Sequence, residues 1–403
     1  MTKQRRLSRR MFLGGSISIA GLVSNVQALS ANPQSAYASS AISNMAGIAS
    51  VDATSNNFPT ISSASNINQA LTPVTTPKAV ISPTPASTPK TVTAPKTIAT
   101  PKPSVPASAP IPSLPFMAGD VDPKVNGFDP MQILTDFDGG LVSKLPNGQT
   151  LRQYTIISTN KTILVAPGEK FDAWTFNGRV PGPTIRATAG DRIRIHYINK
   201  GNAAHGIHFH GIHAGNVDAG FQSIIPGGET FYEFDAQPFG LHLYHCHMSP
   251  LDTHIYKGLY GFFIIDPPQP RPKALELAMM MNGFTFKVSE GDQKNNDVYA
   301  INTVAYHFLK HPIAVPVNQP IRVYLGSMVE FDRVTGFQMH SNMFNLFPTG
   351  TSLQPSGLTS SIMMCQGQRA ILEFTFKSPG QYVFRALHSL GTDRGFIGAF
   401  QAK

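Results

Sequence analysis

A chain of 403 residues with 34 Gly, 33 Pro and only 14% charged residues is long enough for two or three domains and has the balance of a turn-rich all-β protein, with or without a disordered part. Its formal charge of +9 does not describe a nucleic-acid surface, because residues 1–119 hold nine Lys/Arg against the single acid Asp52 and leave the remainder close to neutral.

Residues 1–30 read as an export signal. Arg5, Arg6, Arg9 and Arg10 form a basic start, Met11–Val23 is apolar, and small-residue cleavage contexts follow near Ala28 and Ala38. Ser8-Arg9-Arg10-Met11-Phe12-Leu13 has the form of a twin-arginine signal. The apolar stretch is short for a membrane span. Residues 31–115 are rich in Ser, Ala, Thr and Pro, with Thr-Pro-Lys repeats after Pro73; too little apolar surface is present to offset chain entropy, so a disordered tether is expected.

From about residue 150 short runs of Val, Ile, Tyr and Phe alternate with turn signals such as Asn177-Gly178, Pro226-Gly227-Gly228 and Pro379-Gly380, which predicts β-sandwich structure. An internal repeat divides this region. Residues 233–244, EFDAQPFGLHLY, match 373–384, EFTFKSPGQYVF, without a gap, and 205–210, HGIHFH, match 335–340, TGFQMH. Two copies of one β-domain are therefore predicted, at 145–268 and 270–403, meeting near Pro267–Pro272. The consecutive Met279, Met280 and Met281 cannot share one strand face and are expected in core positions.

Eight of the thirteen histidines lie between residues 205 and 254, together with Cys246. Alternation along a strand sends His245 and His247 to one face and Cys246 to the other, and puts His208 and His210 on a common face opposite His205. Two sets follow. His205, Cys246 and His254 form a two-imidazole, one-thiolate set, the donors of a blue-copper electron-transfer site, with Leu259 where a weak axial donor often stands; an apolar residue there raises the reduction potential. His208, His210, His245 and His247 form an all-imidazole set suited to type 2 or type 3 copper. Zinc also binds Cys/His sets, but a structural zinc site has no use for a second histidine set one residue away. With Cys246 engaged, Cys365 is expected to be a buried thiol. His307 and His311 flank a turn and are expected to be structural, His242 to lie in the core or at an edge, and Trp174 in the core.

The segments His205-x-x-His208-x-His210 and His245-Cys246-His247 with His254 and Leu259, flanked by Phe176-Asn-Gly-Arg-Val-Pro-Gly-Pro-Thr184 and Gly258-Leu-Tyr-Gly261, resemble the multicopper oxidase family, especially its two-domain members, and more distantly copper nitrite reductase. The resemblance covers about residues 150–403. It implies an all-β fold of two cupredoxin-like Greek-key β-sandwich domains, with type 1 copper in the first and a type 2/type 3-like copper site, and a small-molecule or metal-ion reductant with O2 or nitrite as the oxidant. It also implies a ring of three chains in which the second copper site lies between domain 1 of one chain and domain 2 of the next. His340 and His388 are the second domain's candidate ligands. Gln338, Arg385, Ala386 and Leu387 stand where the repeat would place further histidines or the cysteine, so the cluster is expected to be incomplete. Asp218, just after the first motif, is a candidate proton relay to bound oxygen. A nitrite-reductase-like enzyme and a non-enzymatic copper electron carrier are the alternative functions.

Overall fold

Alternation of burial builds the strands. In Arg192–Asn199, Ile193, Ile195 and Tyr197 are buried while Arg192, Arg194 and His196 face outward. The computed structural model describes residues 119–213, 222–286 and 296–403. The export signal at 1–30, the linker at 31–115 and Asp218 lie outside the described residues.

The first sandwich holds β1 (Phe137–Asp138), β2 (Leu141–Lys144), β3 (Thr150–Ala166), β4 (Glu169–Phe176), β5 (Thr184–Thr188) and β6 (Arg192–Asn199). It is completed by β7 (His208–Phe209), β8 (Glu229–Asp235), β9 (Gly240–His245) and β10 (Tyr260–Asp266). One sheet runs β1-β5-β10-β9-β7 and the other β2-β3-β6-β8, with β4 paired to β3. The second sandwich holds β11 (Leu275–Phe284), β12 (Val298–Ile301), β13 (Ile313–Val315), β14 (Ile321–Ser327), β15 (Thr335–Met339) and β16 (Phe344–Pro348). It continues with β17 (Gly357–Thr359), β18 (Ser361–Met364), β19 (Arg369–Phe374), β20 (Gly380–Ala386) and β21 (Ile397–Ala402). Its sheets run β12-β11-β14-β19-β16-β17 and β13-β21-β20-β15-β18. The architecture is all-β and cupredoxin-like.

The two sandwiches repeat one topology. The parallel pairs β3–β6 and β5–β10 recur as β11–β14 and β13–β21. The sequence repeat is carried in register: His208 faces His245 across β7–β9, and the corresponding positions across β15–β20 are Gln338 and Arg385. The second sandwich thus places an amide opposite a guanidinium where the first places two imidazoles.

Central strands are buried on both faces, and their alternate residues enter different cores. Phe263 and Ile265 of β10 enter the first sandwich, while Phe262 and Ile264 face a seam shared with the second. Met279 and Met281 of β11 enter the second sandwich and Met280 enters the seam, which explains the run of three methionines. Polar groups in the seam are paired. Asn282 Nδ2 donates to Tyr260 Oη at 2.7 Å, the Met280 amide donates to Asn302 Oδ1 at 2.9 Å, and the Thr303 hydroxyl donates to the Val180 carbonyl. An ion-pair chain also crosses the seam. Arg186 reaches Asp266 at 2.7 Å and Glu276 at 2.6 Å, and Arg322 reaches Glu276 at 3.0 Å and Glu373 at 2.6 Å.

Tyr244, fully buried one residue before the His-Cys-His segment, donates its hydroxyl to the Pro183 carbonyl at 2.7 Å. Gly182 and Gly261 leave room for it: a Cβ on Gly261 would lie 2.5 Å from the tyrosine ring and one on Gly182 2.7 Å from its hydroxyl. Gly182 and Gly261 of the flanking motifs are therefore spaces for one side chain. Gly261→Ala is expected to lose about 1–3 kcal/mol through overpacking, read as a lower denaturation midpoint at unchanged slope. An unchanged midpoint would show that Tyr244 has somewhere else to go.

Candidate metal centres

Cys246 follows β9, and its amide donates to the Leu259 carbonyl at 2.9 Å. His205 is held by a reciprocal pair of backbone bonds with Ile224, at 3.0 and 2.9 Å. His254 sits on the short helix Leu251–Tyr256. These three side chains, all buried, bring one donor atom each within 4.8 Å of one another. The Cys246 sulfur is 4.0 Å from His205 Nδ1. Metal bonds of ~2.3 Å to thiolate and ~2.0 Å to imidazole, the values found for zinc, span up to ~4.3 Å, so an ion fits between them. His254 Nδ1 lies 2.9 Å from the Pro250 carbonyl and Nε2 3.3 Å from that of Ala204. A neutral ring donates to only one of them and keeps a lone pair on the other nitrogen. Leu259, fully buried, packs in the same core as Cys246.

The second group lies on the other side of the strand end. His208, His210 and His245 bring donor atoms within 4.8 Å of one another. His210 Nε2 and His245 Nε2 are 3.0 Å apart, a separation that needs one shared proton, and a cation can take that proton's place. His245 Nδ1 donates to the Cys246 carbonyl at 2.9 Å, which leaves its Nε2 for a ligand. His247 joins through ring contacts, 4.6 Å from His208 and 5.6 Å from His245 between centroids. His213 joins too, with Nε2 3.1 Å from His208 Nδ1. His340 and His388 are part of neither group within one chain.

Protonation suits cation binding. Burial pushes His205 and His210 down to about 4 and His245 down to about 3, helped by the neighbouring imidazoles, so all three are neutral near pH 7. Burial pushes the Cys246 thiol up to about 11. Without a cation the thiol keeps its proton, and metal binding must displace it. Affinity at the first set is therefore expected to rise on the order of tenfold per pH unit between pH 6 and 8, in a competition titration against a chelator of known proton dependence. A pH-independent affinity would contradict this.

The sequence reading missed Trp174, expected in the core. It lies half-buried against both imidazoles of the first set, with ring centroids 4.9 Å from His205 and 4.9 Å from His254. No spacing rule reveals this contact, because it is made by β4 against distant loops. Gly258, at φ +112° and with a Cβ position 3.0 Å from the Trp174 carbonyl oxygen, lets the segment after His254 pass β4. Cys365 is a correction. It is exposed, not buried, because it falls in the turn between β18 and β19 just before Gly367. His242 is buried, donates Nε2–H to the Pro238 carbonyl at 2.9 Å and takes no part in either group. His196 stacks on Phe231 at 4.5 Å, away from both.

A buried His2Cys set sharing a dipeptide with an imidazole set, on a cupredoxin-like sandwich, defines a copper protein. Residues 158–270 match the family model described as multicopper oxidase. A crystal structure described as a multicopper oxidase superposes with a TM-score of 0.68 at 44% identity, covering 70% of this chain and all of that one. The chain belongs to the multicopper oxidase family. It is also similar to the copper-containing nitrite reductase of Neisseria meningitidis serogroup B, 26% identical over 253 residues, which is 57% of this chain and 65% of that protein. Laccase-2 of Botryotinia fuckeliana is 37% identical over 133 residues, 30% of this chain and 22% of its own length.

Proposed function

We propose that the protein is a copper-dependent oxidoreductase of the multicopper oxidase type, oxidising a small-molecule or metal-ion reductant and reducing O2. The observation that carries this reading is the junction of the two donor sets: Cys246 belongs to one and its chain neighbour His245 to the other. Copper bound at these sets would accept single electrons at the first and deliver them to O2 at the second. The chain supplies the connection. Peptide links join Cys246 to His245 and His247, and the bond from His245 Nδ1 to the Cys246 carbonyl closes a second short path. Trp174 covers the His205 and His254 rings, and the buried Leu259, packed in the same core as Cys246, offers no axial donor, which favours a high reduction potential.

His340, exposed on the second sandwich, is available to a neighbouring copy, whereas His388 accepts from the Gly391 amide through Nδ1 at 3.0 Å and its Nε2 is buried. We place His340, in a homotrimer, at the imidazole set of the next chain, with His388 able to join it only if its cap to Gly391 opens, and Arg9-Arg10 supports export. Nitrite reduction is the second reading. It is favoured by the three mutually close imidazoles His208, His210 and His245, enough for one type 2 copper, and by the similarity to nitrite reductase. Copper per chain and turnover separate the readings. About four coppers with steady O2 consumption is the expected result; about two with nitrite turnover, or about one with neither activity, overturns it in favour of the reductase or of an electron carrier.

A further inference from the structure

The two imidazoles of the first donor set share no local frame. His205 is anchored by its backbone bridge to Ile224, His254 stands on the short helix Leu251–Tyr256, and 49 residues separate them. One side chain touches both. The Trp174 indole lies 4.9 Å from each imidazole between centroids, at 65° to His205 and 56° to His254. The two imidazoles lie 5.2 Å apart at 81°. The three rings close a triangle of tilted and edge-to-face contacts, the arrangement that aromatic quadrupoles favour.

The indole is the fixed member of the triangle. Trp174 stands opposite Asn160 in the β3–β4 ladder, and its amide donates to the Lys257 carbonyl at 2.9 Å. It packs against the core that Cys246 and Leu259 enter. The imidazoles are held less evenly. A histidine ligand is ordinarily oriented by a bond from its second ring nitrogen to a carbonyl or carboxylate. His254 has carbonyls within reach at Pro250 and Ala204. His205 Nδ1 faces the Cys246 sulfur at 4.0 Å, and among the described residues no carbonyl or carboxylate holds its Nε2. That nitrogen instead faces Gly201, where a Cβ would stand 3.0 Å away. Packing against Trp174 and Gly201 thus does for His205 what a hydrogen bond does for His254.

We propose, on the reading of this set as a copper site, that Trp174 is its positioning residue: with no ion present, the indole holds the His205 and His254 rings at the mutual angle from which both bind the ion that Cys246 binds. The last torsion of a histidine side chain is broad and soft, and turning it carries the donor nitrogen away from the ion. Restricting that torsion before the metal arrives removes an ordering cost from binding. It also resists a change of ligand angle when copper gains or loses an electron. The contacts are made by ring faces and edges, so they require a flat aromatic side chain and not apolar bulk alone. Phenylalanine keeps part of them, and leucine fills the space without them.

The test uses the full chain and needs no turnover. Copper(I) affinity is measured by competition with a chelator, and copper(II) geometry by the visible band and the paramagnetic resonance spectrum. Trp174→Leu is expected to weaken copper binding at the first set by about tenfold or more, the scale on which groups that orient a ligand act, and to shift the band and the copper hyperfine splitting. Trp174→Phe should restore most of the affinity and the spectrum. A leucine variant that matches the parent, or leucine and phenylalanine variants that lose equally, overturns the proposal. Should the variants fail to fold, crystals of the parent without and with copper decide: both imidazoles should keep their orientation against Trp174, and rings that turn on loading refute it. Trp174 is the one tryptophan of the chain, so its fluorescence reports filling of the first set. A copper-treated parent with neither quenching nor a visible band would overturn the copper reading itself, and the proposal with it.

Discussion

Replacing Cys246 with serine is expected to abolish the intense visible absorption of the copper-loaded protein and to cut O2 consumption by on the order of 10³-fold or more. Changes to groups that merely support a ligand typically cost 10–100-fold in metal affinity or activity, and loss of the thiolate itself should exceed that range. Serine offers a harder oxygen that stays protonated at neutral pH, at a position closed to bulk solvent: Cys246 is fully buried. Copper per chain should fall by about one, because the imidazole set keeps all its donors. The hydroxyl also introduces a buried polar group with a desolvation cost of about 1–3 kcal/mol, so Cys246→Ala serves as the companion variant. Absorption and turnover should be lost equally in both. A visible band that survives either substitution would show that the thiolate is not a ligand.

Arg322→Met is expected to destabilise the protein by about 3–5 kcal/mol and to lower its melting temperature by on the order of 10 °C. The arginine side chain is 4% exposed and holds Glu276 and Glu373, themselves only 20% and 25% exposed. Removing it leaves two shielded carboxylates with fewer partners, while Arg186 and the Tyr324 hydroxyl still hold Glu276. Burial pushes the Glu276 carboxyl up, but its hydrogen bonds to Arg186, Tyr324 and Arg322 and the Arg186 charge outweigh this and hold it below the usual range. A carboxyl lowered in the folded state stabilises above its ordinary pKa and loses that contribution as pH falls through its lowered value. The gap between parent and variant should thus be full at pH 7 and close below about pH 4. Denaturant midpoints at the two pH values measure it. A triple change of Arg322, Glu276 and Glu373 to apolar residues of similar volume should recover most of the loss, since such replacements are often neutral or stabilising. A gap that stays constant across pH would remove the electrostatic explanation.

The ligand sets were legible because chemistry fixes both residue type and spacing: a two-residue strand period separates Cys246 from His245 before any coordinates are known. The repeat was legible for a related reason. Matched strands keep matched registers, so the substitution of His208 and His245 by Gln338 and Arg385 reads directly from the sequence. Contacts between sheets and loops carry no such period. Trp174 reaches two histidines 31 and 80 residues away, and nothing in its own segment marks this. The exposure of Cys365 depends on a turn whose surroundings come from other strands. The approach of His307 to Asp129, at 3.9 Å, spans 178 residues, and only folding brings the two together.

The seam between the sandwiches bears on how such a chain can be inherited. Divided within 267–274, one half would present Leu241, Leu243 and Phe262 to water, and the other Met280, Tyr324 and Phe347. Neither half is a free-standing module that recombination could trade alone. The second sandwich, which carries neither donor set within its own fold, is the wall against which the first is built.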